Sequence, residues 1–167
     1  MGPAKEVKGY IQTKRGLYVP RGYAQITCPP LNLKTPIGYP SYSFNCKFRE
    51  GQEKAISAMI AHLEKDNQSI LQAPPGSGKT VIALAIAHRL SLRTLILVDR
   101  EKILNQWVDR ILQFTSFKHY EIGIVQGNKY TPQDSFTIGM LQTIGSKKLP
   151  TNFYWGFDLL IIDECHI

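Results

Sequence analysis

Ala73-Pro74-Pro75-Gly76-Ser77-Gly78-Lys79-Thr80 is the stretch of sequence from which the fold is predicted. The residues before it, 69–72, are predicted to form a short buried strand, and the Ala-rich residues after it, 81–90, a helix. A strand, a glycine-rich loop and a helix that follows Gly-Lys-Thr form the pattern of a phosphate-binding loop. The usual motif begins with glycine, whereas this sequence has Ala73 there.

The residue types in this loop suit a nucleoside triphosphate and Mg²⁺. Gly76 and Gly78 let the backbone curl so that its N–H groups converge on phosphate oxygens. The helix that follows points its positive end at the same place. Lys79 is predicted to reach the β- and γ-phosphates, and the Thr80 hydroxyl to bind Mg²⁺. The predicted nucleotide contacts in the loop are Pro75, Gly76, Ser77, Gly78, Lys79 and Thr80.

A second stretch supplies carboxylates. The apolar residues 157–162 are predicted to form a strand, and Asp163-Glu164-Cys165-His166 follow it. Asp163 is predicted to hold Mg²⁺, directly or through water. Glu164 is predicted to be the general base that polarises the attacking water. An Asp-Glu pair after a strand is common, so the prediction depends on its combination with the phosphate-binding loop.

The intervening sequence predicts an α/β fold. Apolar strands are expected at residues 93–99, 121–126 and 136–140, and amphipathic helices at 52–65 and 101–114. Such alternation favours a mostly parallel sheet covered by helices on both faces. In such sheets, ligands bind beyond the carboxyl ends of the strands. The predicted nucleotide-binding domain covers residues 44–167.

Composition limits the other classes of protein. The 167 residues contain no apolar run of the roughly 18 residues that a membrane span needs, and no signal-peptide core at the N-terminus. Three cysteines, an odd number without C-x-x-C spacing, argue against a disulfide framework and against a zinc site. We therefore expect an intracellular protein with reduced cysteines and no membrane association.

Residues 1–43 are expected to form a separate basic, aromatic segment and connector. Residues 1–50 hold eight basic and two acidic residues, whereas residues 51–167 hold twelve basic and eleven acidic ones. Short strands are predicted at 7–12, 16–19 and 23–27, with a Pro- and Gly-rich connector at 28–40. The segment is either a nucleic-acid arm or a small β-rich unit that its lysines keep soluble.

Taken together, these motifs resemble those of superfamily 2 helicases and translocases. Asp163-Glu164-Cys165-His166 resembles their DExH box, and Arg49-x-x-Gln52 their adenine-recognising Q motif. The segment from Asp99 to Trp107 resembles motif Ia, and residues 137–143 a Thr/Gln motif. The combination is most similar to the first RecA-like domain in the branch of XPB-like helicases, phage helicases of the UvsW type and type III restriction subunits.

The resemblance implies ATP and Mg²⁺ as cofactors and DNA as the partner, with RNA as the alternative. Arg49 and Gln52 would contact adenine, which the donor and acceptor of the Gln52 amide suit; a solvated helix residue is the alternative for Gln52. Arg100, Gln142 and Thr143 would contact the nucleic-acid backbone. This sequence departs from motif Ia at Asp99, where the motif usually has proline.

The family also has a Ser-Ala-Thr motif and a second RecA-like domain with arginine fingers, and this sequence contains neither. Such fingers contribute about 10³–10⁵-fold to the rate in related enzymes. We therefore expect weak nucleotide binding and slow hydrolysis by this chain, with the second domain supplied in cis or in trans. Two other functions remain open: a nucleic-acid binding fragment without catalysis, and an ATPase unrelated to nucleic acid.

Overall fold

The computed structural model describes residues 11–13, 16–18, 41–150 and 152–164. The predicted strand at 23–27, the connector at 28–40 and the DExH-box residues Cys165 and His166 lie outside them. The chain divides into two compact units, Met1–Ile37 and Gly38–Ile167. In the first unit, β1 (Ile11–Thr13) pairs antiparallel with β2 (Gly16–Tyr18). β1 overlaps the end of the strand predicted at 7–12, and β2 lies within the strand predicted at 16–19. The boundary near residue 44 stays a prediction.

The second unit is built on a five-stranded sheet, and four of its strands run parallel. β3 (Thr94–Val98) lies next to one edge of the sheet and pairs in parallel with strands on both sides. One neighbour is β7 (Leu159–Ile162), at the edge, and the other is β6 (Phe136–Met140). β4 (Ile122–Gln126) follows in parallel, and β5 (Lys129–Thr131) pairs antiparallel with β4 at the far edge. The predicted mostly parallel α/β sheet is confirmed.

Helices occupy the predicted segments between the strands. The three long helices are α1 (Gln52–Asp66), α2 (Lys79–Leu90) and α3 (Glu101–Phe114), each within two residues of its predicted bounds. A short helix, α4 (Leu141–Ser146), follows β6 and was not predicted. Two 3₁₀ turns complete the unit, at His119–Glu121 and Tyr154–Gly156. Among the described residues, no helix is long and apolar enough to cross a membrane.

The sheet is packed on both faces, because successive side chains of a strand point to opposite sides. On one face, α2 and α3 pack against alternate residues of the strands; the largest fully buried residues there are Leu84, Ile96, Val98, Ile111, Phe136 and Ile138. On the other face, Leu95, Leu97 and Val125 pack with Phe153. α1 packs outside α2 through Ile56, Ile82 and Ile86.

The predicted strand at residues 69–72 is wrong. These residues belong to no strand, and Ile70 is 83% exposed. A strand needs a neighbouring backbone with which to form hydrogen bonds. Within the described residues, β7 is the last strand of the sheet on this side, and it faces residues 69–71 across a cleft. The segment therefore has the apolar composition of a strand without the partner that would make it one.

An ion pair sets the register of β7 against β3. Two N–H groups of the Arg93 guanidinium donate to the Asp158 carboxylate, over 2.9 Å (Nε–Oδ2) and 3.1 Å (Nη2–Oδ1). The Asp158 N–H also donates to the Arg93 carbonyl over 2.8 Å. The hydrogen bond to Asp158 raises the pKa of Arg93. The hydrogen bonds between parallel strands are evenly spaced. An anchor at the start of the two strands therefore also fixes which residues lie opposite each other at their carboxyl ends.

Candidate nucleotide-binding site

The phosphate-binding loop ends where α2 begins. Lys79 is the first residue of α2, and Gly78 precedes it in the left-handed conformation with φ 86°. Gly76 is also left-handed, with φ 77°. Residues with a side chain adopt this conformation only with strain. The curled backbone that was predicted for the loop therefore requires glycine at both positions.

Gln52 holds the loop from the side. Its Nε2 donates to the Ser77 carbonyl over 2.8 Å, and its Oε1 accepts the Arg49 N–H over 2.9 Å. A Cβ at Gly78 would overlap Gln52 Nε2, so the glycine also makes room for the amide. Gln52 is 7% exposed and is therefore not the solvated helix residue that was the alternative interpretation. Its contact with adenine remains a prediction.

Arg49 and Lys79 also bind the loop. Arg49 Nη1 donates to the Gly76 carbonyl over 3.1 Å. Lys79 Nζ lies 2.9 Å from the Ala73 carbonyl oxygen and 3.4 Å from that of Pro74. The side chain of Lys79 therefore reaches from the start of α2 back to Ala73, the first residue of the loop. This places its positive charge beside the backbone that would surround a phosphate.

Both halves of the predicted chemistry line one cleft of about 590 Å³. The start of α2 contributes Lys79 and Thr80, and the residues that follow β7 contribute Asp163 and Glu164. Residues 69–71 and part of α1 form the opposite wall. The cleft runs along the whole of β7, and the two carboxylates lie just beyond the carboxyl end of this strand, where ligands of parallel sheets bind.

The structure positions Asp163 through three hydrogen bonds. The Asp163 N–H donates to the Leu97 carbonyl over 3.0 Å, which extends the pairing of β7 with β3 by one residue. Oδ2 accepts the indole N–H of Trp107 over 2.8 Å, and Oδ1 accepts the Glu164 N–H over 3.1 Å. Glu164 is exposed and left-handed, with φ 54°. A non-glycine residue is strained in that conformation, so the surrounding structure must stabilise it.

The residues present fit a nucleotide with a magnesium ion. The Ser77 hydroxyl oxygen is buried in the loop and has no hydrogen-bond partner among the described residues, which leaves it available to a ligand. No cluster of three His, Cys, Asp or Glu side chains suited to a metal exists among these residues. Mg²⁺ does not require such a cluster, because it is usually held by one or two protein ligands together with substrate phosphates.

The three predicted nucleic-acid contacts lie near the carboxyl ends of β3 and β6. Arg100 is 76% exposed, and its Nε donates to Asp99 Oδ2 over 3.0 Å. Gln142 is exposed, and its Nε2 donates to the Asp99 carbonyl over 2.8 Å. Thr143 is 8% exposed, and its hydroxyl accepts the Gly127 N–H. Asp99 therefore joins Arg100 to Gln142, whereas the Thr143 hydroxyl is used within the fold.

Trp107 is the site residue that sequence reasoning missed. Its helical spacing predicts a core residue, and this is confirmed, since it is 3% exposed and packs with Leu104 and Val108. Its hydrogen bond to Asp163 joins residues 56 positions apart. Nothing in the local pattern indicates such a contact. The only available signal was the polar N–H group of indole, which usually finds a partner when it is buried.

Comparison with known proteins assigns the family. Residues 45–167 match the family model described as "Type III restriction enzyme, res subunit". Identity is 29% over 90% of the chain with 161L of Invertebrate iridescent virus 6, whose name proposes a helicase. It is 26% over 94% with L396 of Acanthamoeba polyphaga mimivirus, whose name proposes an ATP-dependent RNA helicase. It is 27% over 81% with the DNA 3'-5' translocase XPB2 of Sulfurisphaera tokodaii.

The aligned residues are 35%, 31% and 28% of the lengths of these three relatives, so the chain spans about a third of each. The family match covers the whole of the sheet and all four helices of the second unit. The chain therefore belongs to the family described as type III restriction enzyme, res subunit, and its second unit is the first RecA-like domain of the superfamily 2 helicase fold.

Proposed function

We propose that this chain is the ATP-binding first motor domain of an ATP-dependent DNA helicase or translocase. The observation that carries the proposal is the shared cleft, which is lined by Lys79 and Thr80 at the start of α2 and by Asp163 and Glu164, the two residues that follow β7. A basic group, a hydroxyl and two carboxylates in one cleft are the parts that phosphoryl transfer to water needs. The relatives with helicase and translocase names support the coupling to nucleic acid.

The protein groups have separate roles in this proposal. Lys79 and the N–H groups of Gly76 to Gly78 bind the β- and γ-phosphates, and Arg49 and Gln52 are the adenine contacts. Thr80 and Asp163 hold Mg²⁺, which neutralises phosphate charge when it is bound. Glu164 orients the attacking water and accepts its proton. The second RecA-like domain, in cis or in trans, is proposed to supply the arginine fingers.

The proposed nucleic-acid contacts are close to the ATP site in the sheet. β3 lies between β6 and β7, so the strand that precedes Arg100 is hydrogen-bonded to the strand that precedes Asp163. α3 begins immediately after Arg100 and carries Trp107, which binds Asp163. Arg100 and Gln142 are exposed for backbone contacts, and Thr143 is proposed to act beside them. A structural change at one site is thus transmitted to the other through these directly bonded elements.

Oligonucleotide binding tests the nucleic-acid part of the proposal. Fluorescence anisotropy would compare single-stranded, duplex and branched DNA with matched RNA, each at two salt concentrations. Arg100→Ala is expected to weaken binding to all sequences and to lower the salt slope by about one. Arg110→Ala is the matched control, because Arg110 is an exposed arginine on α3, the helix that begins immediately after Arg100. Its effect is expected to be smaller.

The other outcomes distinguish the alternatives. Stronger binding to RNA than to DNA would favour an RNA helicase, the activity that the name of the mimivirus relative proposes. Nucleic-acid binding without any nucleotide binding would favour a binding fragment. Nucleotide binding without any nucleic-acid binding would contradict the motor and leave an ATPase unrelated to nucleic acid.

A further inference from the structure

The side chains of Trp107 and Asp163 form a hydrogen bond at the edge of the cleft. Trp107 Nε1 lies 2.8 Å from Asp163 Oδ2, and both residues line the cleft. Indole has a single N–H donor, and a buried donor without a partner is unfavourable. Because the acceptor is a carboxylate, the bond is charge-assisted and stronger than a bond between neutral groups. The pair therefore fixes the rotamer of Asp163.

The backbones that carry the two side chains are both held by the core. Trp107 lies in the middle of α3, whose neighbouring Leu104, Val108 and Ile111 are buried against the sheet. Asp163 follows β7 directly, and its N–H is bonded to Leu97 of the adjacent strand. Neither end of the hydrogen bond lies in the middle of a long loop. The geometry of the pair is therefore a property of the folded domain and does not depend on a bound nucleotide.

We propose that Trp107 is a positioning residue for the metal-binding carboxylate. The inference rests on the proposed function, since it requires Asp163 to hold Mg²⁺. The indole N–H uses one lone pair of Oδ2, and the Glu164 N–H uses one of Oδ1, so each oxygen keeps a lone pair for the ion or for its water ligands. In this proposal Trp107 contacts neither the ion nor its water ligands; it acts through the orientation of Asp163.

Partners of this kind have a measurable effect on metal sites. Removal of a hydrogen bond to a metal-binding group typically weakens metal affinity or activity by about 10–100-fold. Trp107→Phe removes the N–H and keeps an aromatic ring in the core. In EDTA, we expect the nucleotide affinity of the variant to lie within about twofold of the wild-type value. The factor by which Mg²⁺ raises the affinity is expected to be about tenfold smaller in the variant than in the wild type.

The experiment measures the affinity of a fluorescent ATP analogue, with EDTA and with Mg²⁺, for three proteins: the wild type, Trp107→Phe and Val108→Ala. Val108 is the next residue of α3 and is 6% exposed, so its truncation perturbs the same core without touching Asp163. A purely structural role for Trp107 predicts that Val108→Ala and Trp107→Phe behave alike. Positioning predicts that only Trp107→Phe lowers the Mg²⁺-dependent gain.

A spectroscopic readout tests the contact without any ligand. The sequence has two tryptophans, so Trp155→Phe leaves Trp107 as the single emitter. In that background, Asp163→Asn is expected to shift the emission maximum of Trp107 and to change its near-ultraviolet circular dichroism, because a neutral amide replaces the carboxylate. The far-ultraviolet spectrum and the melting temperature confirm that each variant is folded.

The outcomes separate this inference from the proposed function. A wild type that binds the analogue with a gain from Mg²⁺, together with an equal gain in Trp107→Phe, overturns the positioning role alone. A Trp107 spectrum that is unchanged by Asp163→Asn also overturns it, since the hydrogen bond would then be absent in solution. A wild type that binds no nucleotide under either condition overturns the proposed function and the positioning role together.

Discussion

Gln52 and Ser77 are joined by a 2.8 Å hydrogen bond from the side-chain Nε2 to the main-chain carbonyl, across 25 positions of sequence. The bond ties the first residue of α1 to the middle of the phosphate-binding loop. The same amide accepts the Arg49 N–H, so both polar ends of the side chain are used. The conformation of the loop is thus set by a residue outside it.

Gln52→Ala is expected to destabilise the domain and to weaken nucleotide binding. It leaves the Ser77 carbonyl and the Arg49 N–H without their partner, which costs about 1–3 kcal/mol in the free energy of unfolding. A loop that is no longer held in place should lose about tenfold in nucleotide affinity. Urea unfolding and nucleotide titration measure the two effects. Gln113→Ala, at an exposed glutamine of α3, is the control, and equal behaviour of the two variants would contradict this role.

Gly78→Ala and Gly76→Ala form a matched pair. Both glycines are left-handed, so alanine at either position strains the backbone by about 1–2 kcal/mol. Only at Gly78 does the added Cβ overlap the anchored amide of Gln52; at Gly76 it meets nothing within 4 Å. Gly78→Ala is therefore expected to lower the free energy of unfolding by about 1–3 kcal/mol more than Gly76→Ala. Equal losses in urea unfolding would show that Gln52 yields its position easily.

Tyr42 is expected to make stability fall at high pH. Its hydroxyl is buried without a hydrogen-bond partner among the described residues, and burial raises the pKa of Tyr42 above its ordinary value near 10. The folded state therefore favours the neutral phenol. This contribution is fully present below about pH 10 and is lost as the pH rises through the raised pKa of the folded state. The ring of His88 packs beside the phenol, with its centroid 5.0 Å from that of Tyr42.

Tyr42→Phe tests this account through urea unfolding at pH 7, 9 and 10.5. At pH 7 the variant is expected to be as stable as the wild type or more stable by about 1 kcal/mol, because it removes an unpaired buried hydroxyl. At pH 10.5 its advantage should grow. A loss of more than 1 kcal/mol at pH 7 would mean that the hydroxyl has a partner in solution.

Glu164→Gln separates binding from hydrolysis. The amide has the size of the carboxylate but accepts no proton, so nucleotide affinity should stay within about threefold while hydrolysis falls by about 10²–10⁴-fold. Hydrolysis by this chain is expected to be slow, so single-turnover assays with radiolabelled ATP and protein in excess are the appropriate measurement. Unchanged turnover would assign the general base to another residue.

Most of the fold could be predicted because the long helices and the central strands have strong local patterns. The buried stripe of α3 and the continuous apolar runs of β3 and β6 indicate their structures without reference to the rest of the chain. Residues 69–72 contain the apolar pair Ile70-Leu71 and form no strand, because pairing depends on a neighbour that sequence periodicity does not reveal. The three-residue β5 and the six-residue α4 are too short to show a period.

Less of the candidate site could be predicted from the sequence: the motifs could be predicted, but not the hydrogen bonds that hold them in place. The motifs correctly brought Lys79 and Asp163 to one cleft, because parallel strands align their carboxyl ends. The hydrogen bonds that hold these motifs in place, from Gln52 to Ser77 and from Trp107 to Asp163, join residues far apart along the chain. Such contacts are set by tertiary packing, which leaves no trace in local spacing.

The most direct test of the central claim is calorimetric titration of the chain with ATP and Mg²⁺, comparing the wild type with Lys79→Ala. Lys65→Ala, at an exposed lysine of α1, is the control. We predict weak, saturable binding by the wild type and the control, and none that can be detected for Lys79→Ala, because the ammonium group at the start of α2 is the principal charge facing the phosphates. Equal binding by Lys79→Ala and the wild type, or no binding by the wild type, would contradict the assignment of this loop as the nucleotide site.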